Sequence, residues 1–215
     1  MARFCLVCLA ILFTLGSGPV AAAEAAPQAA IASAHPLATR AGMEILAAGG
    51  NAFDAAVAVS AALAVVEPTG SGLGGGGFWL LHRAADGREV MIDGRERAPL
   101  AAQRDMYLDK NGAVVPRLSV DGPLAAAIPG EPAALAHLAR QYGRLPLTKS
   151  LAPAIRLARD GFPVDEQYQR AAKFRLLALR TSPAAANIFL HDDEVPAPGS
   201  LIKQPDLAAT LAALA

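Results

Sequence analysis

The chain has 215 residues, of which 53 % are hydrophobic but only 5 % aromatic, and its 19 Lys and Arg balance its 19 Asp and Glu. A zero net charge lacks the electrostatic footprint of a nucleic-acid binder, and so apolar a chain with so little net charge does not stay disordered. The 19 Gly and 16 Pro follow no period, which excludes a collagen-like or low-complexity chain.

The first residues read as a targeting segment. Met1–Ala23 carries one cation, Arg3, then the apolar run Phe4–Leu15 and the small-residue stretch Gly16–Ala23. That is the layout of a secretory signal peptide over residues 1–23, cleaved near Ala23–Glu24. The apolar run is short for a span of about 20 residues, so an uncleaved anchor is the lesser alternative. Cys5 and Cys8 both fall inside it, which leaves residues 24–215 without cysteine. The mature part thus uses no disulfide and holds no thiolate zinc site. A periplasmic or secreted location is expected, with no membrane contact beyond the leader.

Ala29–Ser33 reads as a short strand, stopped at His35-Pro36. A helix is predicted over Leu37–Ala48, with Ala41, Ile45, Leu46 and Ala48 on one stripe and Gly49-Gly50 at its end. Asn51 is a good N-cap for a second helix, Ala52–Val66, which is apolar nearly all round and therefore buried. A glycine loop, Ser71–Gly77, leads into the strand Phe78–His82. Asp86-Gly87 is a hairpin turn, and Glu89–Asp93 is the returning strand. Lys110–Ala113 gives a second hairpin signal. From Gly130 onward the pattern is helical, over Glu131–Tyr142, Thr148–Asp160, Asp165–Leu179 and Gln204–Ala215. This order predicts an α+β or layered α/β fold with a helix-rich second half. The last helix has no finishing glycine and no basic last turn, which suggests a chain cut short.

Two loops stand out chemically. Gly72, Gly74, Gly75, Gly76 and Gly77 formally match G-x-G-x-x-G, but a helix precedes them and a strand follows. A dinucleotide site needs the reverse order, with a helix N-terminus facing the phosphates. Glycines here let a backbone or ligand approach closely and permit φ > 0 at several positions. The other loop, Asp93–Pro99, places Arg95 and Glu96 at a strand end. A guanidinium there can clamp a carboxylate bidentately, although exposed ion pairs of this kind are common and weak. His35 reads as a structural or capping residue. His191 with Asp192 and Asp193 reads as a solvated loop rather than a metal site. No G-x-S-x-G or H-E-x-x-H occurs, so neither a catalytic nucleophile nor a metal site is visible.

Taken in order, several segments resemble one family, the γ-glutamyltranspeptidases of the N-terminal-nucleophile hydrolase superfamily. They are His35–Ala38, Ala41-Gly42, Gly49–Ala52 with Asp54–Ala58, Val66–Pro68, Ser71–Phe78, Asp93 with Arg95-Glu96 and Ala98-Pro99, Asp105–Tyr107, Pro129-Gly130, Leu145-Pro146, Ala158–Phe162 and Gln204–Ala208. The resemblance covers residues 24–215 and implies the first part of a large subunit within a four-layer αββα fold. It implies a precursor that cleaves itself into two subunits, and a threonine at the new N-terminus of the small subunit as nucleophile. Its substrates would be glutathione and other γ-glutamyl compounds, and no cofactor would be needed. Arg95 would bind the glutamyl α-carboxylate, with Glu96 supporting it and the glycine loop structural. The family's Thr-Thr-His motif is absent, so this chain alone is expected to be inactive. A related acylase of glutaryl or cephalosporin side chains, or a non-catalytic secreted binding protein, are the alternatives.

Overall fold

One helix forms the centre because the segment between residues 52 and 66 is apolar nearly all round, and the helix before it packs on it through one face. In the computed structural model, which describes residues 29–215, α1 spans Pro36–Ala47 and α2 spans Ala52–Val66. The expected leader (residues 1–23), with Cys5 and Cys8, lies outside the described residues. His35 caps α1: its Nδ1 accepts from the Leu37 N–H at 3.1 Å. That bond needs an unprotonated nitrogen, and burial lowers the His35 pKa in the same direction.

Asn51 and Asp54 close α2 with a reciprocal capping box. The Asn51 side chain accepts from Phe53 N and Asp54 N, while Asp54 Oδ2 accepts from Asn51 N. Asp54 is fully buried, and it also accepts from Arg144 N at 2.9 Å and Leu145 N at 3.3 Å. A single carboxylate therefore starts α2 and anchors the turn after a later helix. Gly143 sits against it, since a Cβ there would lie 2.4 Å from Asp54 Oδ1. The buried face of α2 is largely alanine, including Ala55, Ala58, Ala61, Ala62 and Ala64. These small side chains let α1, α3 (Glu131–Tyr142) and α4 (Leu147–Asp160) all pack on it.

β1 (Gly77–Arg83) and β2 (Arg88–Gly94) form an antiparallel hairpin, with Phe78 opposite Asp93 and Leu80 opposite Met91. Its inner face carries the buried Leu81 and Ile92. Its outer face carries Phe78, Leu80 and Met91, which are 57 %, 77 % and 62 % exposed. α5 (Glu166–Arg180), α6 (Pro183–Phe189) and α7 (Pro205–Leu214) complete the helical half, and α7 docks on α4. Gln204, buried, donates from Nε2 to Val65 O at 2.8 Å and from its backbone to Ala158 O. It thereby ties the start of α7 to both α2 and α4. The mixed fold expected from the sequence is present, and Ile31–Ala215 form one compact unit. Among the described residues no helix is long and apolar enough to cross a membrane.

Several expectations need correction. Ala29–Ser33 is not a strand, since it pairs with neither two-stranded sheet; instead Ile31 lies against Gly42 of α1. A short apolar run cannot by itself supply a pairing partner. The Lys110–Ala113 signal makes a tight turn rather than two strands. Asp109 Oδ1 accepts from Asn111 N and Ala113 N, leaving one isolated bridge between Leu108 and Val114. Three elements carry no periodic signal: the two-residue strands β3 (Phe162–Pro163) and β4 (Leu201–Ile202), and α6, whose Ser182 cap and Pro183 first position are its only sequence mark.

Candidate carboxylate-binding site

The glycine loop begins where α2 unwinds. Gly70 N and Ser71 N both donate to Glu67 O, and Gly75 N donates to Gly72 O, so the chain turns twice before entering β1. Gly75 O then accepts from both Gly130 N (3.0 Å) and Glu131 N (3.1 Å). The first turn of α3 is thus stitched to the loop backbone to backbone. Gly76 explains the residue type: a Cβ there would fall 2.2 Å from Gly94 O and 3.0 Å from Arg95 Cα. Close backbone approach, expected from the sequence, is what Gly76 uses. None of Gly72, Gly74, Gly75, Gly76 or Gly77 uses the positive φ that glycine permits.

This loop forms the rim of an open cavity of about 500 Å³. Ser60 and Leu63 of α2, Phe78 and Trp79 of β1, Glu96 and Glu131 line the rest of it. Trp79 Nε1 donates to Ser60 Oγ at 3.2 Å, bracing β1 against α2. Glu131 is buried at the start of α3. Burial, and secondarily the charge of Glu96, push its carboxyl up to about 7.

Arg95 follows β2 directly. Its backbone N–H donates to Asp93 Oδ1 at 3.0 Å, which turns the chain out of the strand. The side chain is 63 % exposed, and its Nε lies 3.2 Å from Glu96 Oε2. Arg95 is not among the residues lining the glycine-rimmed cavity. It lines a groove of about 640 Å³ with Arg97, His137 and Arg140. The structure therefore joins Arg95 to Glu96 and Glu96 to the glycine loop, with Glu96 as the link between two adjacent hollows. An exposed guanidinium held from one side presents its free edge to an incoming carboxylate.

The other candidates lie apart. His82 pairs loosely with Glu89 on the hairpin, and His191 with Asp192 on an exposed turn. Among the described residues no three His, Cys, Asp or Glu side chains are placed to share a metal ion. Sequence reasoning missed Glu131 and Arg140, and singled out Arg97 only as part of the Asp93–Pro99 loop. Glu131 reads as an ordinary acid in a helix's first turn, and only tertiary packing buries it.

A helical pair, a hairpin and an arginine at its exit define a mixed α/β layer with a carboxylate-sized cationic edge. The family profile described as Gamma-glutamyltranspeptidase matches residues 38–215. The chain is 39 % identical over 201 residues to a glutathione hydrolase proenzyme of Pseudomonas sp. (strain A14), covering 89 % of this chain and 34 % of that protein. The solved structure of Helicobacter pylori gamma-glutamyltranspeptidase superposes with a TM-score of 0.84 at 39 % identity, over 88 % of this chain and 54 % of that one. A cephalosporin acylase from Bacillus halodurans superposes with a TM-score of 0.72 at 30 % identity, over 89 % and 39 %. The chain belongs to the gamma-glutamyltranspeptidase family. It spans about a third of the length of the curated relative it matches.

Proposed function

We propose that the complete protein hydrolyses or transfers γ-glutamyl groups, with glutathione and similar γ-glutamyl amides as donors, and that Arg95 binds the donor's α-carboxylate. The observation that carries this reading is the exposed Arg95 guanidinium with its Nε 3.2 Å from Glu96, in a chain of this family. The nucleophile would be the N-terminal threonine of a small subunit released by self-cleavage of a precursor. Its hydroxyl oxygen forms an ester with the γ-carbonyl as the amine leaves with a proton, and water or a second amine then breaks the ester. The apolar outer face of the hairpin supports a layered assembly, since Phe78, Leu80 and Met91 need a cover. Residues 1–23 would direct export to the periplasm or outside the cell.

The test is steady-state kinetics of the complete gene product on γ-glutamyl-p-nitroanilide. Arg95→Ala raises KM about 100-fold with a smaller change in kcat, the loss of a charge-assisted bidentate contact. An unchanged KM removes Arg95 from the site. The 215-residue chain alone releases no p-nitroaniline. The superposition on a cephalosporin acylase favours a second reading, a different acyl donor, which activity on a glutaryl amide without activity on the γ-glutamyl anilide would establish.

A further inference from the structure

Beyond Arg95 the chain leaves the core. No residue from 98 to 130 is buried against the described residues. The segment is nonetheless closed and folded on itself. Arg97 and Ile128 exchange both backbone hydrogen bonds, at 3.0 and 2.8 Å, which clamps its two ends together. Inside it, Leu108 bridges Val114, Val115 N donates to Tyr107 O, and the Tyr107 hydroxyl donates to Leu124 O at 3.0 Å. Asp121 holds Arg117 of the segment at 2.6 Å and Arg175 of α5 at 2.5 Å, which ties the loop to the helical half. Arg117 keeps a φ of 67°, a conformation that a residue with a Cβ rarely adopts. Ordering a chain costs backbone entropy at every residue, and burial of side chains normally offsets it. Within this segment no burial does so.

The exposed side chains point to an apolar cover. Leu100 is fully exposed and Val114 is 72 % exposed, with Val120, Leu124 and Ile128 also in solvent. The charges point away from a charged partner. Arg104, Lys110 and Arg117 balance Asp105, Asp109 and Asp121. Asp109 already accepts two backbone N–H groups of its own turn, and Asp121 already pairs with two arginines. Ile128 lines the Arg95 groove together with Met91, so the apolar surface of the loop runs on into the uncovered face of the hairpin. We propose that residues 98–128 form an arm that packs on the part of this protein following residue 215, and that this cover closes the open side of the groove beside Arg95. The chain spans about a third of the length of its curated relative, so most of such a protein lies outside it. A segment of the same polypeptide meets the arm at high effective concentration and needs no electrostatic steering. The proposal rests on the chain being part of a longer family protein, whichever acyl group that protein transfers.

The experiment uses the purified complete protein as Leu100→Cys and as Val114→Cys, since residues 24–215 offer no competing thiol. Each is reacted with a maleimide in the native state and in urea, and the modified peptide is quantified by mass spectrometry. Under a cover, the native thiol reacts about 100-fold or more slowly than the unfolded one. Protection at either position that survives dilution supports the proposal. Near-equal rates at both positions overturn it. Protection that disappears on dilution also overturns it, because the cover is then a second copy. Both side chains stand in solvent in this structure, so the substitutions leave the chain's own packing intact; where one variant does not fold, the other decides. Labelling needs neither turnover nor self-cleavage. A protein with protected thiols and no activity on γ-glutamyl-p-nitroanilide sinks the proposed activity and leaves the arm covered, and an active enzyme with bare thiols does the reverse.

Discussion

Glu131 carries a stability consequence separate from any chemistry. Its carboxyl ionises near 4.5 when the chain is unfolded and near 7 when folded. The folded state thus binds the extra proton between those values. Stability falls as pH rises from about 4.5 to 7 and is flat beyond. The shift corresponds to about 3 kcal/mol at pH 8. Glu131→Gln should recover much of that, seen as a higher urea midpoint at pH 8 and little difference at pH 4.5. Asp54 is a fully partnered carboxylate. It is buried and satisfies three backbone N–H groups from two distant segments. Asp54→Ala strands those donors and should cost about 3 kcal/mol or more in urea unfolding. In the sequence Asp54 stands in the first turn of α2 and in the family likeness, but its partners at Arg144 and Leu145 lie about 90 residues away and no local pattern announces them.

At the scale of elements, the glycine loop separates two kinds of glycine. A Cβ at Gly76 collides with Gly94 O, whereas a Cβ at Gly74 meets nothing within 4 Å. Gly76→Ala should destabilise by about 3 kcal/mol or prevent folding, because both clashing groups are backbone and cannot rotate away. Gly74→Ala should stay within about 0.5 kcal/mol of wild type. Thermal unfolding of the pair checks this, and equal effects would show that the loop works by flexibility instead. The α2 boundaries were legible because an Asn cap, a long apolar run and Pro68 agree. β3 and β4 were not, since two residues carry no period and only their mutual pairing defines them.

For the molecule as a whole, the hairpin is apolar on both faces but covered on one. Phe78, Leu80 and Met91 stand on the outer face, opposite the core. In isolation this chain should bind a hydrophobic dye such as anilinonaphthalene sulfonate and self-associate. Leu80→Asp with Met91→Lys should reduce the dye signal by about half or more without lowering the unfolding midpoint. Unchanged dye binding would place the exposed apolar surface elsewhere. In the complete protein the same pair of changes should impair assembly.

The sequence by itself determined the helices, the hairpin, the glycine loop and the arginine at the strand exit. Each rests on signals within about 15 residues: caps, periodicity and turn chemistry. It also carried the family likeness, because the motifs fall in order along the chain. Tertiary structure alone decided that Gly76 serves close approach while Gly74 does not, that Ile31 packs on a helix, and that Arg95 and the glycine loop border different hollows. It alone buried Glu131. Burial and charge proximity depend on segments far apart in the chain, and no local pattern of residues encodes which of them will meet.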